Sequence, residues 1–336
     1  MPVGVIRPDQ ADDFDAWFSV TQASYRHEFP GEPGWFHDER RAMALDVAAG
    51  KRTILLLATT NHAEPVGAAA VIVNTVDNPH LAEIELDVLP IHRRRGIGRE
   101  LAVAAESVAR AEGRTTVLCF QAEPPAQAGT SPGRRFAEAL GYHAAQVEQR
   151  RSIHLPVDRA RLDDLEARCS PLAAAYRIEA WQGSWPEADL EDLVELERRM
   201  STDVPVDDID FHEEAWSTER ARAHDALVLA MGRRRHFAAA RHLESGHLVA
   251  YTVITVPSRP ERAYQWATLV LPEHRGRRLG ILVKVANLRT IDPSETRDIV
   301  TWNAASNEPM IAVNEEFGAV CDGDGVFWQK TLPSSG

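Results

Sequence analysis

Two mixed α/β domains in tandem are what this sequence predicts, and three observations carry the prediction. The first is length: 336 residues give room for two domains of about 150 residues each. The second is a near-repeat. LPIHRRRGIG, from Leu89 to Gly98, returns 182 residues later as LPEHRGRRLG, from Leu271 to Gly280, with six of ten positions identical. The third is order. Around each copy the same succession of strand-like and helix-like segments recurs.

In the first half, Val3 to Arg7 reads as a short strand. Ala11 to His27 and His37 to Ala49 place apolar residues three and four apart, as helices do. Arg52 to Ala58 and Val66 to Val76 are apolar, β-branched runs around a hydrophilic turn, so they read as a hairpin. Glu83 to Val88 alternates acidic and apolar residues, which buries one strand face. Gly96 to Glu112 is helical, with Leu101, Ala104, Ala105, Val108 and Ala109 on one side. Thr115 to Phe120 is a strand, Arg134 to Leu140 a helix stopped by Gly141, and Val147 to Leu155 the strand that closes this half.

Leu155 to Pro171 reads as a connection containing a polar helix. The expected division is therefore residues 1–155, a linker over 156–174, and 175–336. The second half repeats the order: strand Tyr176–Trp181, helices Leu190–Met200 and Glu214–Leu229, strands His236–Arg241, Leu248–Val256 and Ala263–Val270. Helix Leu279–Ile291, strand Ile299–Trp302, helix Glu308–Phe317 and strand Val326–Thr331 complete it.

Each copy of the repeat ends a strand, carries arginines and glycines, and starts a helix. Such a turn suits phosphate, because the N–H groups of a helix start point outward and the helix dipole favours an anion there. Glycine lets the backbone approach the ligand closely and adopt positive φ. Arg93, Arg95, Gly96 and Gly98 form the first cradle; Arg275, Gly276, Arg278 and Gly280 form the second. Arg93, Gly96 and Gly98 fit the pattern Q/R-x-x-G-x-G/A, and the chain resembles the GNAT superfamily of acyl-CoA-dependent N-acetyltransferases. The second copy departs from the pattern, with Arg278 where the middle glycine is expected.

The resemblance implies that each turn holds the pyrophosphate of coenzyme A, with Val88 and Val270 giving backbone groups to its pantetheine arm. Thr301 to Ala319 resembles the family's strand, asparagine and helix segment, and Asn303 and Asn307 stand where members contact the cofactor. The first half lacks both asparagines. Implied as well is acetyl transfer from acetyl-CoA to an amine of a small molecule. The tyrosine that commonly serves the family as acid is replaced by Ala137 in one copy and Asn314 in the other.

Amide formation needs an uncharged amine, hence a proton acceptor, and something to stabilise the oxyanion. On the first half's fourth strand Glu83, Glu85 and Asp87 share a face, with Glu85 the candidate base. The matching positions of the second half, Gln265, Ala267 and Leu269, supply none. The acidic loop Met200–Glu214 can: Asp203, Asp207, Asp208, His212 and Glu213 are acceptor-side candidates, Asp203 and Glu213 foremost, and Asn314 occupies the acid's place. With its paired asparagines and acidic loop, the second half is the expected catalytic one.

Composition narrows the alternatives. A formal net charge of −13 disfavours general nucleic-acid binding and suits a cationic acceptor. Three scattered cysteines, with no CxxC pair and no zinc spacing, point to a reducing compartment and no metal. No signal pattern or membrane-length apolar run appears, so a cytoplasmic protein is expected, as a monomer with internal pseudo-symmetry or a homodimer. Two other readings stay open: a degenerate CoA-binding scaffold, or an acyltransferase served by aminoacyl-tRNA or a carrier protein.

Overall fold

The computed structural model describes residues 2–333. The chain forms two compact units. The first takes residues up to Val147, then Asp207–His212, then the stretch from Asp324 on; the second takes Glu148–Val206 and Glu213–Gly323.

Unit 1 contains β1 (Val3–Ile6), α1 (Ala11–Glu28), α2 (His37–Leu45), β2 (Lys51–Thr59), β3 (Pro65–Asn74), β4 (Leu81–Val88), α3 (Ile97–Ala111), β5 (Thr116–Glu123) and α4 (Pro132–Ala139). Its strands run antiparallel except for β4 and β5, which pair in parallel only from Leu81 to Glu83 against Thr116 to Leu118. Strand alternation divides its apolar residues between two cores. Leu55, Ala68 and Ala70 meet Phe14, Trp17 and Val20 of α1; Leu56, Ala69, Val71 and Val73 meet Leu101, Ala105 and Ala109 of α3. Gly67 is required here, since a Cβ would stand 2.6 Å from the Leu101 side chain.

Unit 2 contains most of β6 (His143–His154), α5 (Arg159–Cys169), β7 (Tyr176–Gln182), α6 (Leu190–Asp203), α7 (Thr218–Ala230), β8 (Arg234–His242), β9 (Leu248–Val256), β10 (Arg262–Val270), α8 (Leu279–Leu288), β11 (Asp298–Ala304) and α9 (Glu308–Glu315). Here too one strand pair is parallel and short: β10 meets β11 only from Arg262 to Tyr264. β9 is buried at every position and lies mid-sheet between β8 and β10.

The closing strands differ from the sequence expectation. Residues Glu148–His154 of β6 pair with β11 in unit 2, and Asp324–Thr331 of β12 (Val320–Thr331) pair with β5 in unit 1. Each half thus lends its last strand to the other unit, so the expected boundary at residue 155 does not coincide with a compact unit. Local pattern could not reveal this, because either strand satisfies either edge by alternation alone. The connection is also more than a linker: Leu162, Leu165 and Cys169 of α5 lie in the core of unit 2 with Leu282 and Val285.

The repeated turns share one backbone path. Left-handed φ occurs at Arg94 (63°) and Gly96 (87°) in the first, and at Gly276 (79°) and Arg278 (58°) in the second. The two conformationally demanding positions are the same, and glycine serves a different one in each. An L-residue with a side chain adopts this region at a cost of about 1–2 kcal/mol.

Two predictions follow from these arrangements. Arg278→Gly should stabilise the protein by about 0.5–1 kcal/mol and Gly276→Ala should destabilise it by about 1 kcal/mol, read as denaturation midpoints. A chain truncated to residues 1–155 loses Val326 and Trp328, both buried in the core of unit 1. At about 2–3 kcal/mol each, this is much of a typical domain's stability, so the fragment should melt without a cooperative transition in calorimetry; a sharp transition would show the exchanged strand to be dispensable.

Candidate functional site

In each turn the first arginine folds back onto the strand it leaves. Arg93 Nε donates to the Val88 carbonyl at 3.0 Å, and Arg275 Nε donates to the Val270 carbonyl, also at 3.0 Å. Each also has a second anchor: Arg93 reaches Ser24 Oγ at 3.0 Å and Glu28 at 2.8 Å, and Arg275 reaches Asp203 Oδ2 at 2.8 Å. These arginines hold the turn in shape. Arg95 and Arg278 are exposed at the helix starts, where the first-turn N–H groups have no intrahelical acceptor. Both turns are therefore anion-receptive.

Beyond the turns the units diverge. A Cβ at Gly98 would lie 3.1 Å from the Phe136 ring, so α4 packs closely over the start of α3. A Cβ at Gly280 would meet, among the described residues, Val270 Cγ2 alone, at 3.7 Å. β4 keeps an unbroken register against β3, whereas β10 has a β-bulge between Gln265 and Ala267 against β9. A bulge re-aims backbone groups and ends regular pairing.

A cavity of about 120 Å³ lies in unit 2, between β10 and β11, where those strands have parted. Gln265 to Thr268 form one wall and Thr301 to Ala304 the other; Asn307, Met200 and Pro205 border it, and Lys284 of α8 lines it from within the core. The bulged wall is fixed by side chains. Gln265 Nε2 donates to the carbonyls of Val253 (2.6 Å) and Ala267 (2.8 Å) and to Thr252 Oγ1 (3.0 Å), while Thr252 and Thr268 share a 2.7 Å bond. Gln265 Oε1 is thereby turned to Lys284, whose Nζ donates to it at 3.1 Å. Burial pulls the Lys284 amine down to about 7.

The residues singled out from sequence fall into several places. Asn303 and Asn307 both line the cavity; Asn307 also caps α9 through Met310 N, at 3.3 Å. Asn314 is fully buried and donates to Asn303 Oδ1 at 2.8 Å, so it orients that asparagine. Asp203 is clamped by Arg199 (3.0 and 3.2 Å) and by Arg275, which makes it part of the turn's support. Glu213 is half-exposed and paired with Arg198 at 3.3 Å. Glu85 is paired with the buried guanidinium of Arg40. Its neighbour Asp87 is raised to about 7, chiefly by burial, while Ser24 opposes the shift and Glu85 adds to it.

The structure divides the acidic loop. Asp203 and Glu213 stay with unit 2, but Asp207–His212 belong to unit 1. Asp208 N donates to the Ala145 carbonyl (3.1 Å), Asp210 N to Gln329 Oε1 (2.7 Å) and His212 N to Asn78 Oδ1 (2.7 Å). Among the described residues one group of histidine and carboxylate ligand atoms, from His80, Asp210 and His212, comes within 4.8 Å. Its members are used in docking that segment: His80 Nε2 sits 3.0 Å from the Asp210 carbonyl, and Thr116 donates to Asp210 Oδ2 at 3.1 Å.

Sequence reasoning missed Lys284, Glu148 and Glu197. Lys284 had a readable signal, a lone lysine inside the apolar helix LGILVKVANL. Glu148 lines the cavity from β6, a strand that pattern assigned to the other half. Glu197 of α6 is raised to about 7 by burial, with the buried Tyr251 hydroxyl acting against the shift. No helix among the described residues is long and apolar enough to cross a membrane.

Comparison with known proteins agrees with this geometry. Residues 14–142 match the model of the acetyltransferase (GNAT) family. A tandem GNAT protein from the clavulanic acid biosynthesis pathway superposes with a TM-score of 0.79 and 27% identity, over 99% of each chain. A GCN5-related N-acetyltransferase from Sphaerobacter thermophilus shares the fold at 16% identity and a TM-score of 0.64, over 99% of this chain and 96% of its own. So does a glucosamine N-acetyltransferase region of a fungal multi-domain β-N-acetylglucosaminidase, at 15% identity and 0.69, over 98% of this chain and 38% of its own. The search of curated proteins finds no match. The first half thus carries a match to the GNAT family, and the chain from end to end closely resembles a tandem GNAT protein.

Proposed function

We propose that the protein transfers an acetyl group from acetyl-CoA to an amine of a small molecule, and that the cleft of unit 2 is where it does so. The observation that carries this is the coincidence, in that unit, of an open helix start at Gly280, a bulged β10 and a cavity between parted parallel strands. The turn at Arg275–Gly280 receives the diphosphate. The pantetheine arm then follows β10 from Val270 inward and brings the thioester to the bulge.

Attack by the acceptor nitrogen places negative charge on the thioester oxygen. A backbone N–H released from the ladder at the bulge is suited to receive it. The acceptor must first lose a proton. Glu148 lines the cavity and is the carboxylate that the cleft wall offers as a base. The net charge of −13 favours approach of a cationic amine. In unit 1 the unbroken β4 and the Phe136 ring against Gly98 favour a supporting role, and a scaffold function is a reading for that unit alone. We place the protein in the cytoplasm, as a monomer with two related units or a homodimer of such monomers.

The test is calorimetric titration with CoA, paired with thiol release from acetyl-CoA over a panel of polyamines, aminoglycosides and amino sugars. Gly280→Glu should weaken CoA binding at least about tenfold by setting a carboxylate at the phosphate site, while Arg95→Glu in unit 1 leaves it within about twofold. Equal affinity in both variants and the parent would remove the assignment to unit 2. CoA binding without release for any amine would favour the scaffold.

A further inference from the structure

We propose that Lys284 donates the proton taken up by the thiolate that leaves when the acyl group is transferred. The inference rests on the acyl-transfer reading above and adds to it the residue that completes the reaction.

Lys284 is 2% exposed, yet it lines the cleft. Its hydrogen-bond partner is an uncharged amide oxygen, Gln265 Oε1, and that amide is held in orientation by its NH2 group, which has Val253 O, Ala267 O and Thr252 Oγ1 within reach. An ammonium in such a place is poorly compensated, and a hydrocarbon side chain would pack there with less penalty. Among the residues lining the cleft it is the one cation, facing a single carboxylate, Glu148. It also reaches Gln265 at the edge of the bulge, toward which the proposed path of the donor along β10 from the Gly280 turn leads.

The other charged groups on elements packed against α8 are engaged elsewhere. Arg235 pairs with Asp225, Arg262 with Asp298, and Asp163 and Glu166 with Arg289, while His236 binds Thr290. On β7, Arg177 and Arg241 of β8 hold Glu179. With burial bringing the amine to about 7, both its forms are populated at neutral pH. That range suits exchange of a proton with a thiol.

In the step itself the acceptor nitrogen forms a bond to the acyl carbon. The carbon–sulfur bond breaks and its electron pair goes to sulfur. One proton moves from Lys284 Nζ to that sulfur, giving the thiol of CoA, and leaves Lys284 as a neutral amine, the form that burial favours. The proton lost by the acceptor goes to the carboxylate or water on its own side. Lys284 is recharged from solvent when the products leave.

Thiol release from acetyl-CoA with the most active amine of the panel tests this. The rate at saturating substrates is followed from about pH 5 to 10 on the parent and on Lys284→Met. On the parent it should fall as pH rises through the ionisation of the buried amine at about 7. On Lys284→Met it should be at least about tenfold lower at about pH 7 and lack that falling limb, while CoA affinity stays within about twofold. A parent rate with no falling limb overturns the proposal whether or not the variant folds, and so do equal profiles in parent and variant. Failure of CoA to bind the parent, or of every amine to release thiol, overturns the acyl-transfer reading and this one together; release without the falling limb overturns this one alone.

Discussion

The candidate site depends on two parallel strands that stop pairing after three residues. β10 and β11 hold register only from Arg262 to Tyr264 against Asp298 to Val300, and everything chemical in unit 2 lies beyond that point. Parted strands leave N–H and C=O groups without ladder partners, and buried groups of that kind demand others. The molecule answers on one wall with side chains: Gln265, Thr252 and Thr268 bind the carbonyls around the bulge. What they leave is a narrow slot lined by polar side chains and one buried amine.

The same constraint explains the turn. A helix start that is to meet an anion must keep its first N–H groups outward, so the chain needs left-handed residues just before it and an anchor that prevents collapse. Arg93 and Arg275 supply the anchor by bonding the carbonyl of the last strand residue, and each is held from behind by an acid or hydroxyl of a helix in its own unit, Ser24 and Glu28 of α1 or Asp203 of α6. Asp203 therefore earns its burial as a counter-charge to two arginines, which is a structural use of a residue whose sequence context suggested acid–base work.

Legibility followed the range of the interaction. The α/β class, the tandem repeat and the turns are all set by neighbours within a few residues, through alternation, helical periodicity or a glycine before a helix, whereas Asn303 and Asn307 were pointed to only by the family resemblance. The exchange of β6 and β12 is set by which sheet edge each strand meets, and period-two patterns carry no such address. The splitting of the acidic loop is similar, because Asn78 and Gln329 hold Asp207–His212 across more than a hundred residues of sequence. Lys284 was readable as an oddity in an apolar helix, but its meaning came from the strand bulge that faces it.

Duplication has left two copies of one backbone device under different local constraints. The left-handed positions survive in both turns while glycine has moved between them, so the conformation is retained more strictly than the residue. Downstream, a phenylalanine on α4 closes over one helix start, and in the other the matching position, counted back from Gly141 and Gly318, is Val313. Ring against isopropyl group is enough to separate a start that is roofed from one that is open. Alanine stands at position 102, the counterpart of Lys284 in the first copy, so the amine too is present in only one. An open helix start, a bulged wall and a buried amine thus occur together in unit 2, and none of the three is found at the matching positions among the described residues of unit 1. Three features that bear on the same short path differ in the same direction, which is what division of labour between binding chemistry and architectural support requires.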